Sequence, residues 1–234
     1  MGHIVEREPE FTSTTDSSEQ AIGVHIPRIR AWCFLPFSKA LCKRIKNKEV
    51  HINCLEFLGI LLAHIMVQEK YAEDPSLYAP TPVMCALCDN TSANAWWNKM
   101  STSSTMGCNV LKLYAEYQRL SPVHSLTKHI RGVDNVISDM ISRPDELFTP
   151  HLTHLYDTPY TTLITQVYRQ FRAERRWNLF LPSPNLLSAM NSALSSTPSP
   201  GRPQKPTNNG HFVPAAHIFS NGRSNAKFTA SCFL

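Results

Sequence analysis

The sequence predicts a mixed α/β domain over residues 11–143. A short leader (1–10) precedes it, and a helical connector (144–181) and a mostly disordered, Pro/Ser-rich tail (182–234) follow. Three observations lead there. Short strand-like runs crowd the N-terminal part and then alternate with stretches of helical spacing, the pattern of a sheet with helices packed on it. Val83–Cys88 is a continuous apolar run, as a strand buried on both faces should be. From Pro182 to Pro214 prolines recur among Ser, Thr, Asn and Gly, and neither a helix interior nor a central strand accepts them easily.

Phe11–Thr15 and Ala21–Ile26 read as strands joined by a turn at Ser17-Ser18, and aromatic-rich Arg30–Phe37 as a third. A basic stretch follows, with Lys39, Lys43, Arg44, Lys46 and Lys48; it either tracks phosphates or is a solvated face. After Val50–Ile52, helical spacing of Leu55, Leu58, Leu62, Ile65 and Met66 predicts a helix over Asn53–Glu73. Pro75, Pro80 and Pro82 mark a loop before the Val83–Cys88 strand. Ser92–Met100 and Cys108–Leu120 read as helices and Leu126–Ile130 as a last strand. Asn135–Ser142 is a short helix stopped by Pro144. In the connector, Thr161–Trp177 has the spacing of an amphipathic helix carrying Arg169, Arg172, Arg175 and Arg176. A short helix at Asn185–Leu194 is expected inside the tail.

Composition excludes several classes. Hydrophobic residues are 42% and charged ones 18%, which is not the balance of a charge-driven disordered chain. Eight glycines rule out a collagen-like or glycine-rich protein. No apolar run is long enough for a membrane span, since Leu55–Val67 is broken by Glu56 and His64, and no membrane partner is expected. Met1–Glu10 has no apolar h-region, so the chain is expected inside the cell, in cytoplasm or nucleus, and not secreted. Seven cysteines then read as small buried hydrophobes in a reducing compartment. Cys85 and Cys88 have the spacing of a metal knuckle but lack a second pair, so packing is expected of them. Of Trp96 and Trp97, neighbours on a helix, one is expected to face the core.

Four acids stand where strands end or helices bury a face: Asp16, Glu56, Asp89 and Asp139. Each has an ordinary alternative. Asp16 suits a turn, Glu56 a capping box with Asn53, Asp89 a helix cap, and Asp139 a solvated helix face. Brought together, they would repel one another and raise one another's pKa. Divalent cations remove that penalty, and hard oxygen ligands suit Mg²⁺ or Mn²⁺. Two such ions about 4 Å apart activate a water and stabilise a leaving oxygen, so the pattern points to phosphoryl transfer.

The segment His129-Ile-Arg-Gly132-Val-Asp-Asn135-Val-Ile-Ser138-Asp139-Met-Ile-Ser142-Arg143 resembles the closing motif of the ribonuclease H domain of retroelement reverse transcriptases. Ser138 stands for an alanine and Ile141 for a leucine. Thr15-Asp16-Ser17-Ser18 with Ala21-Ile22-Gly23 is similar to the family's first motif, with Ala21 in place of one glycine. His51-Ile52-Asn53-Cys54-Leu55-Glu56 and Leu87-Cys88-Asp89-Asn90-Thr91 resemble the segments that carry its second and third acids. The resemblance covers about residues 11–143.

That resemblance implies a ribonuclease H-like fold: a five-stranded mixed sheet, three antiparallel strands followed by two parallel ones, with helices on both faces. It implies hydrolysis of the RNA strand of an RNA–DNA hybrid. Asp16, Glu56, Asp89 and Asp139 would hold two Mg²⁺ (or Mn²⁺) ions, and His129 would assist proton transfer or product release. Ser18, Lys43, Arg44 and Asn90 would contact nucleic acid. Trp177-Asn-Leu-Phe180-Leu-Pro182-Ser-Pro184 resembles the connector after ribonuclease H in DIRS-like retrotransposons, which encode a tyrosine recombinase. A reverse transcriptase polymerase domain and a recombinase from the same element are then the expected partners. The competing readings are a non-catalytic ribonuclease H-like binding module, which the loss of an acid would favour, and an inactive remnant of a decayed element.

Overall fold

The computed structural model describes residues 7–119, 121–143, 177–195 and 210–214. They form an α/β fold around one seven-stranded mixed sheet. Strands β1 (Phe11–Ser17), β2 (Ala21–Ile26) and β3 (Ala31–Pro36) pair antiparallel. On the other side of β1, β4 (Val83–Cys88) and then β5 (His124–His129) run parallel to it. This five-strand arrangement is compatible with a ribonuclease H-like fold.

Alternation along the strands assigns the two faces. Ile22, Val24 and Ile26 of β2, with Cys33 and Leu35 of β3, join the larger core. Ala21, Trp32 and Phe34 point the other way into a smaller one. Helix α2 (Ile52–Glu73) covers the first face and is buried almost all round, because α3 (Thr91–Lys99) and α4 (Thr105–Gln118) pack over it. By length and hydropathy α2 would suffice to cross a membrane, but 83% of that stretch is buried inside this fold. Helix α5 (Val136–Ser142) covers the second face through Met140 and Ile141. A Cβ on Gly23 would collide with the Ser138 carbonyl and sit 2.7 Å from the Ser142 nitrogen. Only glycine at this position of β2 lets α5 lie so close.

Several boundaries differ from the sequence expectation. Asp16 and Ser17 belong to β1, not to the turn, which is made by Ser18 to Gln20. The basic stretch is a helix, α1 (Lys39–Lys46), capped by Ser38. The largest difference is in the tail. Asn178–Pro182 is a strand, β6, parallel to β3, and Gly210–Pro214 is a strand, β7, antiparallel to β6; between them the short helix expected at Asn185–Leu194 is found as α6 (Pro184–Ala193). The prolines sit at element boundaries: Pro182 ends β6, Pro184 opens α6 where a missing N–H is tolerated, and Pro214 ends β7. The sheet therefore has seven strands where five are expected. The Thr161–Trp177 helix, with its four arginines, lies outside the described residues except for Trp177. On the opposite edge, the Asn98 side chain donates to the Thr127 carbonyl (3.0 Å) and accepts from the Thr127 N–H (3.1 Å) of β5.

Candidate metal centre

All four predicted acids stand toward one end of the sheet, and Glu56 and Asp89 are the two whose oxygens come within ligand distance of each other. Asp16 lies near the C-terminal end of β1 and Asp89 directly follows the adjacent parallel β4. Glu56 is in the second turn of α2, and Asp139 is on α5 across the other face. The electrostatics record their proximity. Asp16 is raised by Asp139 and Asp89, Glu56 by Asp16 and Asp89, and Asp89 by Asp139.

Three of the acids are held by specific contacts. The Ser17 N–H donates to Glu56 Oε1 at 3.0 Å, which ties α2 to the end of β1. The Ser142 hydroxyl donates to Asp16 Oδ2 at 2.6 Å. Arg143 pairs with Asp139 Oδ1 at 2.6 Å, one turn along α5. Asn135, just before α5, donates to the Thr15 carbonyl at 2.8 Å and fixes that helix against β1. Two of the ordinary alternatives fall away. His51 caps α2 and Asn53 does not, so Glu56 is no capping-box partner. Asn90, not Asp89, caps α3.

Burial sets the protonation. Asp16 is 6% exposed, and desolvation, opposed by the Ser142 hydroxyl and reinforced by Asp139 and Asp89, pushes its pKa up to about 6. Glu56 is 4% exposed; desolvation first, then Asp16 and Asp89, push it up to about 9. Asp89 is half-buried and raised mainly by desolvation, while the nearby exposed His129 lowers it. One member of the cluster was not foreseen. The Cys88 thiol lies against Glu56 Oε2 at 3.6 Å, and its sulfur and the Glu56 and Asp89 oxygens fall within 4.8 Å of one another. Burial, then Glu56, raise the thiol far above its ordinary range, so it sits there as a neutral donor. Strand alternation sends Cys85 to the opposite face, so the pair forms no knuckle.

The donor chemistry is compatible with a hard divalent cation: Glu56 and Asp89 offer oxygens within 4.8 Å of one another, Asp16 and Asp139 stand near enough to act on their charge, and soft Cys88 remains protonated.

The other expected contacts are placed differently. Ser18 donates to the Ser142 carbonyl at 2.6 Å and accepts from Gln20 and Ala21, so it braces the β1–β2 turn. Asn90 caps Ala93 and donates to Asn53 Oδ1 at 2.9 Å, joining the starts of α3 and α2 beside the acids. Arg44 is half-buried and donates to the Leu194 carbonyl at 2.6 Å, while Lys43 is exposed. Trp97 is the tryptophan in the core, and Trp96 is half-buried against Phe57.

No family model, curated protein or solved structure matches this chain.

Proposed function

We propose that the chain is a metal-dependent endoribonuclease that hydrolyses the RNA strand of RNA–DNA hybrids. The observation that carries this reading is the convergence of Asp16, Glu56, Asp89 and Asp139 at one sheet end, with Glu56 so disfavoured as an anion that a positive charge is needed beside it. Two Mg²⁺ or Mn²⁺ ions, when bound, supply that charge and the activation of water needed for phosphodiester hydrolysis. Asp16 and Glu56 hold the buried side of the site and Asp89 and Asp139 its open side. Ser142 orients the Asp16 carboxylate, and the Ser17 N–H orients Glu56. His129, exposed next to Asp89, moves a proton to or from the leaving oxygen. The hybrid is recognised through backbone and sugar rather than base sequence. The resemblance to DIRS-like retrotransposons supports an activity inside the cell, alongside a reverse transcriptase polymerase domain and a recombinase of the same element.

The test is cleavage of a labelled hybrid by the full chain with Mg²⁺, with Mn²⁺ and with chelator. The expected result is metal-dependent cutting of the RNA strand alone, abolished in Asp89→Asn with the fold retained. Equal cutting by Asp89→Asn would refute the ligand assignment. Hybrid binding without cutting by the folded parent chain would make the chain a binding module.

A further inference from the structure

The exposed face of α1 carries a charge pattern that the fold does not need. Lys39, Lys43 and Lys46 recur at i, i+4 and i+7 and share one side of the helix, opposite Leu41 and Ile45, which enter the core. Lys48 extends the stripe past the helix end. All four are exposed, and none has an ion pair among the described residues. The local acid, Glu49, is instead taken by Arg44 at 3.8 Å and by the Asn47 amide at 3.0 Å.

Three features of this stripe work against the stability of α1. The lysines repel one another at helical spacing. Lys39 occupies the first position of the helix, whose dipole disfavours a cation, and no acid shares that first turn. Lys48 has φ 61, a left-handed conformation. Its N–H bonds the Ile45 carbonyl at 2.9 Å and the Glu49 N–H bonds the Arg44 carbonyl at 2.9 Å, the Schellman closure in which glycine is strongly preferred. A merely solvated helix face would require none of these.

The topology places this stripe beside the acids. Pro36 ends β3 and pairs with Ala21, and the Phe37 N–H donates to the Gln20 carbonyl at 2.7 Å, so α1 begins at the turn that follows Asp16. Cys42 of α1 feels both Lys46 and Glu19 of that turn. At its other end α1 leads into α2, which carries Glu56. β3 lies two strands from β1, about 10 Å along the acid-bearing rim. Leu41, Ile45 and the Arg44–Leu194 hydrogen bond fix the helix in place.

We propose that Lys39, Lys43, Lys46 and Lys48 form a phosphate-tracking surface that holds the backbone of the hybrid duplex on one side of the carboxylate cluster. The proposal deepens the hybrid-cleavage reading and rests on it for the identity of the duplex. Electrostatic complementarity selects the occupant, since a row of unpaired ammonium groups matches the regular row of phosphates. Arg44, by contrast, is an anchor of the fold.

The experiment is binding of a fluorescently labelled RNA–DNA hybrid to the full chain in chelator, followed across salt concentration. In Lys39→Gln/Lys43→Gln/Lys46→Gln the slope of log affinity against log salt should fall by about three, about one for each lysine. Lys48→Gly separates function from folding. It should raise the melting temperature, because glycine suits the left-handed position, and should lower the salt slope by about one. An unchanged slope in both folded variants would overturn the proposal, even if the parent chain cuts hybrid. Lysine-dependent binding in a chain that cuts nothing would sustain the proposal and refute the cleavage reading. Lysine-dependent binding to phosphatidylserine vesicles with none to hybrid would also overturn it.

Discussion

Glu56 shows how burial and neighbouring charge act on a single side chain. It is buried, close to Asp16 and Asp89, and held by one N–H from Ser17. Its pKa is raised from 4.5 to about 9, so the folded chain binds this proton more tightly than the unfolded chain. A raised acid removes stability as pH climbs from the unfolded to the folded value. Asp16 does the same up to about pH 6. His25 and His64 act in the opposite direction, because burial lowers them to about 4 and about 3, and their effect ends near their ordinary 6.5. Between pH 7 and 8 Glu56 therefore dominates, before the thiols of Cys42, Cys54, Cys85 and Cys88, which burial also raises, add to the loss. The metal-free protein should lose up to about 1.4 kcal/mol per pH unit there. Thermal melts in chelator across this window check it. Glu56→Gln should flatten the dependence and raise the melting temperature at pH 8. A slope that survives this substitution would show that another group titrates. The acids were legible in the sequence because they stand at the ends of hydrophobic runs and in motif order. Cys88 was not, because a cysteine in a buried strand reads as packing until the strand's facing is known.

At the scale of elements, the site depends on how α5 docks. The helix has seven residues, too short to persist alone, and it carries Asp139, Ser142 and the partner of Thr14, Ser138. It is seated by Gly23 underneath and by Asn135 at its start. Gly23→Ala should push α5 off β2 and lower stability by about 1–3 kcal/mol, the usual effect of overpacking. A urea melt measures the stability change, and hybrid cleavage should fall further than the melt alone explains, because Asp139 and the Asp16–Ser142 contact move with the helix. Ala21, on the same face of β2 as Gly23, fits its methyl into the smaller core with Met140 and Ile141. Apart from α1, which reads in sequence only as a basic stretch, the helix and strand order over residues 11–143 followed from periodicity and punctuation. The misplaced limits have local causes. His51 rather than Asn53 caps α2, and β1 continues through Asp16 and Ser17 because β4 and β2 pair along it.

For the whole molecule, residues 177–195 and 210–214 belong to the fold. Phe180, Leu186, Leu187, Met190 and Leu194 are part of the larger core, while Leu179 and Trp177 complete the smaller one. Gly210 lets β7 approach the Phe180 ring. Ser195 accepts from Asn109 of α4 at 3.2 Å and Leu194 accepts from Arg44, so this segment ties α1 to α4. A chain ending at residue 143 should be less stable than the full chain and expose apolar surface, which soluble yield, dye binding and urea melts would register. If the shortened chain melts like the full one, the C-terminal packing contributes nothing. Composition hid this part, because prolines counted by density signal disorder, whereas prolines counted by position can mark the ends of ordered elements.

The amide of Asn98 has a consequence for how molecules meet. β5 is the last strand on its side, and such a strand ordinarily offers free N–H and C=O groups to any passing chain. Asn98 answers Thr127 with one donor and one acceptor, as a neighbouring residue of another strand would. The Trp97 indole occupies the Ser125 carbonyl at 3.3 Å. The open margin of the sheet is thereby finished from within, and two copies of this chain gain little from zipping together along it at high concentration.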